Sequence, residues 1–470
     1  MGDIREFGME KNLLKRLREG HQLSVKDQLQ LIIQLSIPAI MAQITSVIMQ
    51  YIDASMVGRL GANDSAAIGL VATTTWLISG LTATAGTGFT IQVAHRIGAG
   101  DEKGARDVVK HGIVSILLIS SILLLVGACI SDYLPVWLGG NREIQEGASQ
   151  YFRIFVLFLP FMQMVYSAGG MLQSSGDMKI PSLLNILMCL LDVIFNWVLI
   201  FPSRNIAFGD QSIWVWGAGL GIRGAALGTA FSEVIVGMIM LYFLLIKSKP
   251  LHFRRGEKTR VSSEIIKKAL KIAIPMGVES VILGGAQVLG TKIVAPLGTI
   301  AIAANSFAIT AESICFMPGY GIATATTTIV GQSIGAKRES LAKKLGWFSV
   351  FFGMTVMLFT GSVMYIFAPE MIGLLTPDEK VRQLGVLVLR IESFAEPLFG
   401  AAVVGAGIFR GTGKTIIPTI VNFSSMWLVR LPLAFFLSKT MGLQGVWLAM
   451  CLDLSMRGCV FLFLLWKKKL

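Results

Sequence analysis

Charge is scarce in this chain. Only 15% of its 470 residues are Asp, Glu, Lys or Arg, against about 25% in soluble globular proteins. With 54% hydrophobic residues and a mean hydropathy of +0.68, a polytopic membrane protein is the class that fits. Cysteine is scarce too. The five present (Cys129, Cys189, Cys315, Cys451, Cys459) show no metal-ligand spacing and mostly fall within apolar runs, so they read as buried thiols, not a disulfide framework. The four histidines (His21, His95, His111, His252) share no ligand spacing either. No nucleophile–His–acid arrangement stands out, so an enzyme is not expected. Gly219-Leu-Gly221-Ile-Arg-Gly224 spells GxGxxG without the strand–helix context of a dinucleotide site, and Gly413-Lys414-Thr415 has Ile408 where a phosphate-binding loop needs glycine. With no nucleotide domain or other cofactor site, any pumping draws on an ion gradient or a partner. The N-terminus is charged and carries no basic tip with a short apolar run, so no cleavable signal peptide is expected.

What the chain does have is apolar length. Twelve apolar runs lie between about residue 31 and residue 466, each near the roughly 20 residues that cross a bilayer. The net charge of +13 sits in the connectors, which argues against a nucleic-acid partner and for the lipid bilayer. Lys11, Lys15, Arg16, Arg18 and Lys26 precede the first run. Arg96, Lys103, Arg106 and Lys110 follow the second, Lys247 to Lys268 separates the sixth from the seventh, and Lys467-Lys468-Lys469 ends the chain. Every even connector is basic and the odd ones are not, which places both termini in the cytoplasm. The expected fold is all-α and polytopic, with residues 1–28 a cytoplasmic segment, 29–246 a first lobe, 247–268 a basic linker and 269–470 a second lobe.

The two halves repeat. Pro38 and Pro275, Gly61 and Gly298, Ile97–Ala99 and Ile334–Ala336, Pro181 and Pro418, and Asn185 and Asn422 are all 237 positions apart. Gly224 and Gly445 are 221 apart, so the first half carries extra residues, placed in a Pro202–Gly219 loop. Six spans per repeat give both lobes the same orientation, related by a pseudo-twofold axis along the membrane normal, with a substrate path between them.

Asp53 stands in the first span. A carboxylate deep in a membrane helix costs roughly 2.5–3.5 kcal/mol on insertion scales and is by default a functional hypothesis. Asn185, Asp192 and Asn196 share one stripe of the fifth span. By depth, Asp192, Asn196 and Thr229 of the sixth span lie level with Asp53. Two carboxylates with amide and hydroxyl oxygens make a candidate proton or monovalent-cation site. The alternative is that the two acids only hydrogen-bond neighbouring helices. Glu279 and Gln287, two turns apart on the seventh span, are candidate cavity residues of the second lobe, and Gln50 of the first. Arg430 is expected to pair with Glu312, Glu396 or Asp453.

These stretches resemble multidrug and toxic compound extrusion (MATE) transporters. The likeness lies in YIDASMVGRLG of the first span, QVAHRIGAGDEKGAR after the second, LQSSGDMKIP after the fourth, LDVIFNWVLIF in the fifth and GIRGAALGTAFSE in the sixth, with echoes GQSIGAKRE and IFRGTGKTIIP in the second half. The resemblance implies twelve helices in two lobes and export of organic cations or drugs in exchange for Na⁺ or H⁺. The DNA-damage-inducible (DinF-like) branch implies an ion site at Asp53, Asp192, Asn196 and Thr229, although that branch usually has Asn before Asp on the fifth span and this chain has Asp192 before Asn196. Carboxylates that other branches place at the seventh and tenth spans are Leu283 and Phe399 here. The expected protein is a monomeric antiporter of the bacterial inner membrane that takes a cationic, amphipathic small molecule. A lipid-linked oligosaccharide flippase and a polytopic membrane enzyme are the alternatives.

Overall fold

In lipid the backbone has to satisfy its own hydrogen bonds, so apolar runs of this length fold as helices. The computed structural model describes residues 13–208, 211–254, 256–257 and 262–467. Lys11, Arg255, Lys258, Arg260, Lys468 and Lys469 of the basic segments lie outside the described residues. The first lobe contains α1 (Val25–Gly58), α2 (Ala62–Gly98), α3 (Glu102–Ile130), α4 (Arg142–Ser174), α5 (Lys179–Ile200) and α6 (Ile222–Tyr242). The second contains α7 (Ser263–Val294), α8 (Thr299–Gly335), α9 (Glu339–Gly373), a divided α10, α11 (Ile416–Met441) and α12 (Leu443–Lys467). Local chemistry sets several starts. Ser24 and Asp27 form a reciprocal capping box at the head of α1, and Asp101 accepts from Gly104 N–H to cap α3.

Two elements depart from the sequence-based expectation. Among the described residues eleven helices are long and apolar enough to span. The tenth run is broken into α10a (Glu379–Ser393, 15 residues) and α10b (Glu396–Gly411, 16 residues). Pro397 near the start of α10b has no N–H to give the Ser393 carbonyl, so the helix restarts there. Glu392 and Glu396 flank the break and are buried. The Pro202–Gly219 segment is a β-hairpin, β1 (Pro202–Phe208) paired antiparallel with β2 (Gln211–Ala218) in the register Arg204↔Val215 and Asn205↔Trp214. Its signal was the β-branched and aromatic run Ile213-Trp-Val-Trp216. All five cysteines are free, but Cys129 and Cys459 are exposed and not buried.

Within the first lobe α2 packs on α4, and α5 and α4 on α6. In the second, α8 packs on α9 and α10b, and α12 on α10b and α11. The lobes meet along two seams, α1 against α8 and α2 against α7, and between these seams α2 meets α8. Since α7 repeats α1 and α8 repeats α2, these seams are mates under a twofold. The close contacts are mates as well. A side chain on Gly98 would run into the Gln332 carbonyl, and one on Gly335 into the His95 carbonyl; 95 and 332, like 98 and 335, are 237 apart. The axis therefore passes between α2 and α8 at the basic end of the bundle. That end is closed further by the N-terminal segment. Leu13, Leu14 and Leu17 are buried in one cluster with Leu35, Ala325 and Leu345, and Arg338 donates to the Leu17 and His21 carbonyls at 3.0 and 2.8 Å. Toward the opposite end, positions such as Gly284 and Gly290 of α7 have no neighbour within 4 Å of a side chain built there.

Gly335→Val is expected to lower the midpoint of thermal unfolding, by strain worth about 1–3 kcal/mol, while Gly284→Ala leaves it nearly unchanged. Equal midpoints for the two variants in a thiol-reactive dye melt would contradict this account of the seam.

Candidate functional site

The site lies where α1, α5 and α6 converge. Small residues permit that approach. A side chain on Gly224 would meet the Leu199 carbonyl and one on Gly228 the Asn196 amide oxygen, so the glycine spacing of GIRGAALG lets α6 lie directly on α5. Asp192 is fully buried and Asn196 is 1% exposed. The Asn196 amide nitrogen donates to both carboxylates, to Asp53 Oδ1 at 2.9 Å and to Asp192 Oδ2 at 3.0 Å. Thr229 on α6 lies beside the Asp192 carboxylate. The structure thus brings together Asp53, Asp192, Asn196 and Thr229. Among the described residues no Lys or Arg is within salt-bridge distance of either acid, and Asp192 Oδ1 has no hydrogen-bond partner.

A fifth polar group belongs here and was missed. Glu233, buried at 7% exposure, follows Thr229 by one helical turn on the same stripe. Its signal lay in that four-residue spacing. Glu233 lines a cavity of about 210 Å³ together with Gln50, Asn185, Gln173, Tyr166 and Thr324. Gln50 and Asn185 therefore face the cavity beside the carboxylate cluster and not the cluster itself. Thr324 comes from α8, so the cavity reaches the second lobe. Tyr51, two residues before Asp53, donates its hydroxyl to the Thr310 carbonyl of α8 and ties this part of α1 to the second lobe.

The second-lobe candidates separate. Gln287 is exposed. Glu279 is buried and turned toward α10b and α11. It accepts from Arg410 Nη2 at 2.9 Å and from Asn422 Nδ2 at 2.6 Å, with the Thr419 hydroxyl at 3.4 Å. Helical spacing alone could not reveal that an arginine 131 positions away claims one of the two. The expected partner of Arg430 is also different. Among the described residues no carboxylate is within 4.0 Å of it, and its guanidinium reaches Met450 Sδ at 2.7 Å. Asp453 instead holds Arg457, one turn along α12, and the Ser425 hydroxyl.

The repeat is asymmetric in these contacts. Ala42, Gln173 and Asn185 line the first-lobe cavity. Their counterparts 237 positions on are Glu279, Arg410 and Asn422, so an ion pair occupies the equivalent place in the second lobe. At the same offset Asp53, Asp192 and Asn196 become Gly290, Val429 and Leu433, and at the later offset of 221 Thr229 and Glu233 become Met450 and Leu454. The polar cluster of one lobe is apolar in the other.

Removing the Glu279 charge leaves Arg410 without its carboxylate in a mostly buried place. Glu279→Ala is expected to cost about 1–3 kcal/mol of stability, seen as a lower unfolding midpoint. Glu279→Ala together with Arg410→Met should recover part of that loss. A single variant as stable as the parent would show the pair to be dispensable.

The chain matches the MatE family model twice, over residues 38–198 and 275–436, once in each lobe. It is 27% identical over 450 residues to a probable multidrug resistance protein NorM of Thermotoga maritima, covering 93% of each chain. Among solved structures it resembles a MATE transporter crystallised in complex with MaL6 (TM-score 0.86, 22% identity, 95% of this chain and 96% of that one). It also resembles an outward-facing multidrug resistance MATE transporter of the MOP superfamily (TM-score 0.85, 22% identity, 96% of each chain). The twelve-helix, two-lobe architecture and both halves of the family model agree, and this multi-pass membrane protein belongs to the MatE family, the multidrug and toxic compound extrusion transporters.

Proposed function

We propose that the chain is a cation-coupled multidrug antiporter of a bacterial inner membrane, with both termini cytoplasmic, and that Asp53 and Asp192 are its coupling acids. The observation that carries the proposal is the single Asn196 amide shared by two carboxylates with no basic residue beside them. Two negative charges in a low-dielectric site repel and are poorly solvated, so such a pair titrates as one unit and takes up a proton or a monovalent cation. The free Asp192 Oδ1 offers a position for that ion, with Thr229 alongside. Hard oxygen donors suit Na⁺ as well as H⁺.

The adjacent cavity couples this chemistry to a substrate. Its lining mixes Met49, Met188, Met240 and Tyr166 with the Glu233 carboxylate. Adaptable methionine walls favour loose apolar fit, and one acid favours a positive charge. A cationic, amphipathic molecule and the coupling ion therefore compete for one pool of negative charge in the first lobe. Ion entry from outside neutralises the acids and releases the cation outward. A lipid-linked oligosaccharide flippase would be expected to line its cavity with basic groups, and this lining contains none among the described residues.

Cationic-dye efflux from vesicles, with Na⁺ and pH gradients imposed separately, tests the coupling. Asp53→Asn is expected to abolish gradient-driven efflux, and Asp192→Asn to reduce it at least about tenfold, each with dye binding retained. Undiminished efflux in Asp53→Asn would remove the coupling role.

A further inference from the structure

A groove on the outer surface of the second lobe lies over α10a and between α9 and α12. Its volume is about 850 Å³, within the range of about 300–1,000 Å³ that holds small ligands. The inner face of α10a packs on α8, so the groove opens outward. Its neighbours on that surface are apolar and uncovered: Ile366 is 63% exposed and Leu452 48%. The groove therefore faces lipid.

Its charge is unusual for that location. Arg382 and Arg390 both line it, two turns apart on one stripe of α10a. Arg382 stands near the head of the helix, 3.8 Å from Glu379, the groove's one carboxylate, which also accepts from Gln383. Arg390 lies eleven residues below Glu379, about 16 Å along the axis. It is exposed, and among the described residues no carboxylate is within salt-bridge distance of it. Its guanidinium rests over the Tyr365 ring at 5.3 Å, and Nε donates to the Tyr365 carbonyl at 3.3 Å. An arginine at the lipid face of a membrane helix is costly unless an anion or the interface solvates it. Around it the lining is apolar, with Val386 and Leu387 toward Arg382, Ile391 and Phe394 below, and Leu448 across on α12.

We propose that this groove binds one anionic glycerophospholipid of the leaflet at the end opposite the chain termini. The phosphate lies between Arg382 and Arg390, and an acyl chain runs down past Leu387 and Ile391 to Phe394. Charge complementarity selects the anionic headgroup, because Arg390 has no carboxylate within salt-bridge distance among the described residues, and the apolar floor selects a lipid over a free phosphate. Phe394 caps the C-terminus of α10a, just after its last residue Ser393, so the bound chain props the break of α10 from the membrane side. The site is separate from the carboxylates of the first lobe, and its test does not depend on transport.

The full-length protein in detergent, supplemented with phosphatidylglycerol, phosphatidylcholine or inorganic phosphate, is examined by native mass spectrometry and thermal unfolding. Retention of phosphatidylglycerol in preference to phosphatidylcholine, with a raised unfolding midpoint, is expected. Arg390→Gln should weaken that retention about tenfold or more, the loss of a charge-assisted contact, and should remove the rise in midpoint that phosphatidylglycerol gives over phosphatidylcholine. Leu387→Trp keeps both charges and fills the acyl path, and should also reduce retention. Equal retention of the two lipids, retention indifferent to both variants, or stabilisation by inorganic phosphate alone would overturn the proposal. So would groove residues crosslinking to a second copy of the chain.

Discussion

Everything in the first lobe turns on the cost of keeping two carboxylates away from water. Asp192 has no solvent exposure, and Asp53 meets it through one shared amide. Such a pair is not a stabilising device, since no opposite charge repays the desolvation. Under the proposed function its use is to hold a small positive charge reversibly. The surrounding structure serves that end. Gly224 and Gly228 bring α6 onto α5, which sets Thr229 and Glu233 against the pair. The Tyr51 contact to Thr310 ties the same turn of α1 to the other lobe, so Asp53 stands two residues from a contact between the lobes.

The duplication gives the two lobes one architecture and different chemistry. Where the first lobe has a cavity edged by Gln173 and Asn185, the second has the Glu279–Arg410–Asn422 cluster. An ion pair with good hydrogen-bond geometry fixes a place, whereas an open cavity with unpaired acids lets it change. Under the proposed function the first lobe responds to charge and the second holds its shape near the seam. At the basic end the twofold-related contacts of Gly98 and Gly335 keep the lobes together in the state described here, and the N-terminal leucines reinforce that closure.

Much of this was legible in the sequence, for physical reasons. Membrane helices announce themselves by length and hydropathy, the repeat by its constant offset, and Asp53, Asp192, Asn196 and Thr229 by depth and stripe. Other features were not. The break in α10 depends on Pro397 acting inside a run whose composition stays apolar. The β-hairpin was hidden because a polar-edged connector between spans reads as loop. Glu233 shares Thr229's stripe, yet its depth alone did not separate it from the Glu and Asp residues of other spans. The Glu279–Arg410 pair joins residues 131 positions apart, a distance over which periodicity carries no information.

The central claim is that a substrate held at Glu233 and a coupling ion held at Asp53 and Asp192 draw on one pool of negative charge in the first lobe. The most direct measurement is ion release from purified protein on addition of a cationic dye, followed with a pH indicator in weak buffer and, in parallel, by displacement of ²²Na⁺. The account predicts that dye binding releases H⁺ or Na⁺ in proportion to the dye bound, and that Asp53→Asn binds dye without releasing either ion. Dye binding to the parent protein with no ion release, or unchanged release from Asp53→Asn, would contradict it.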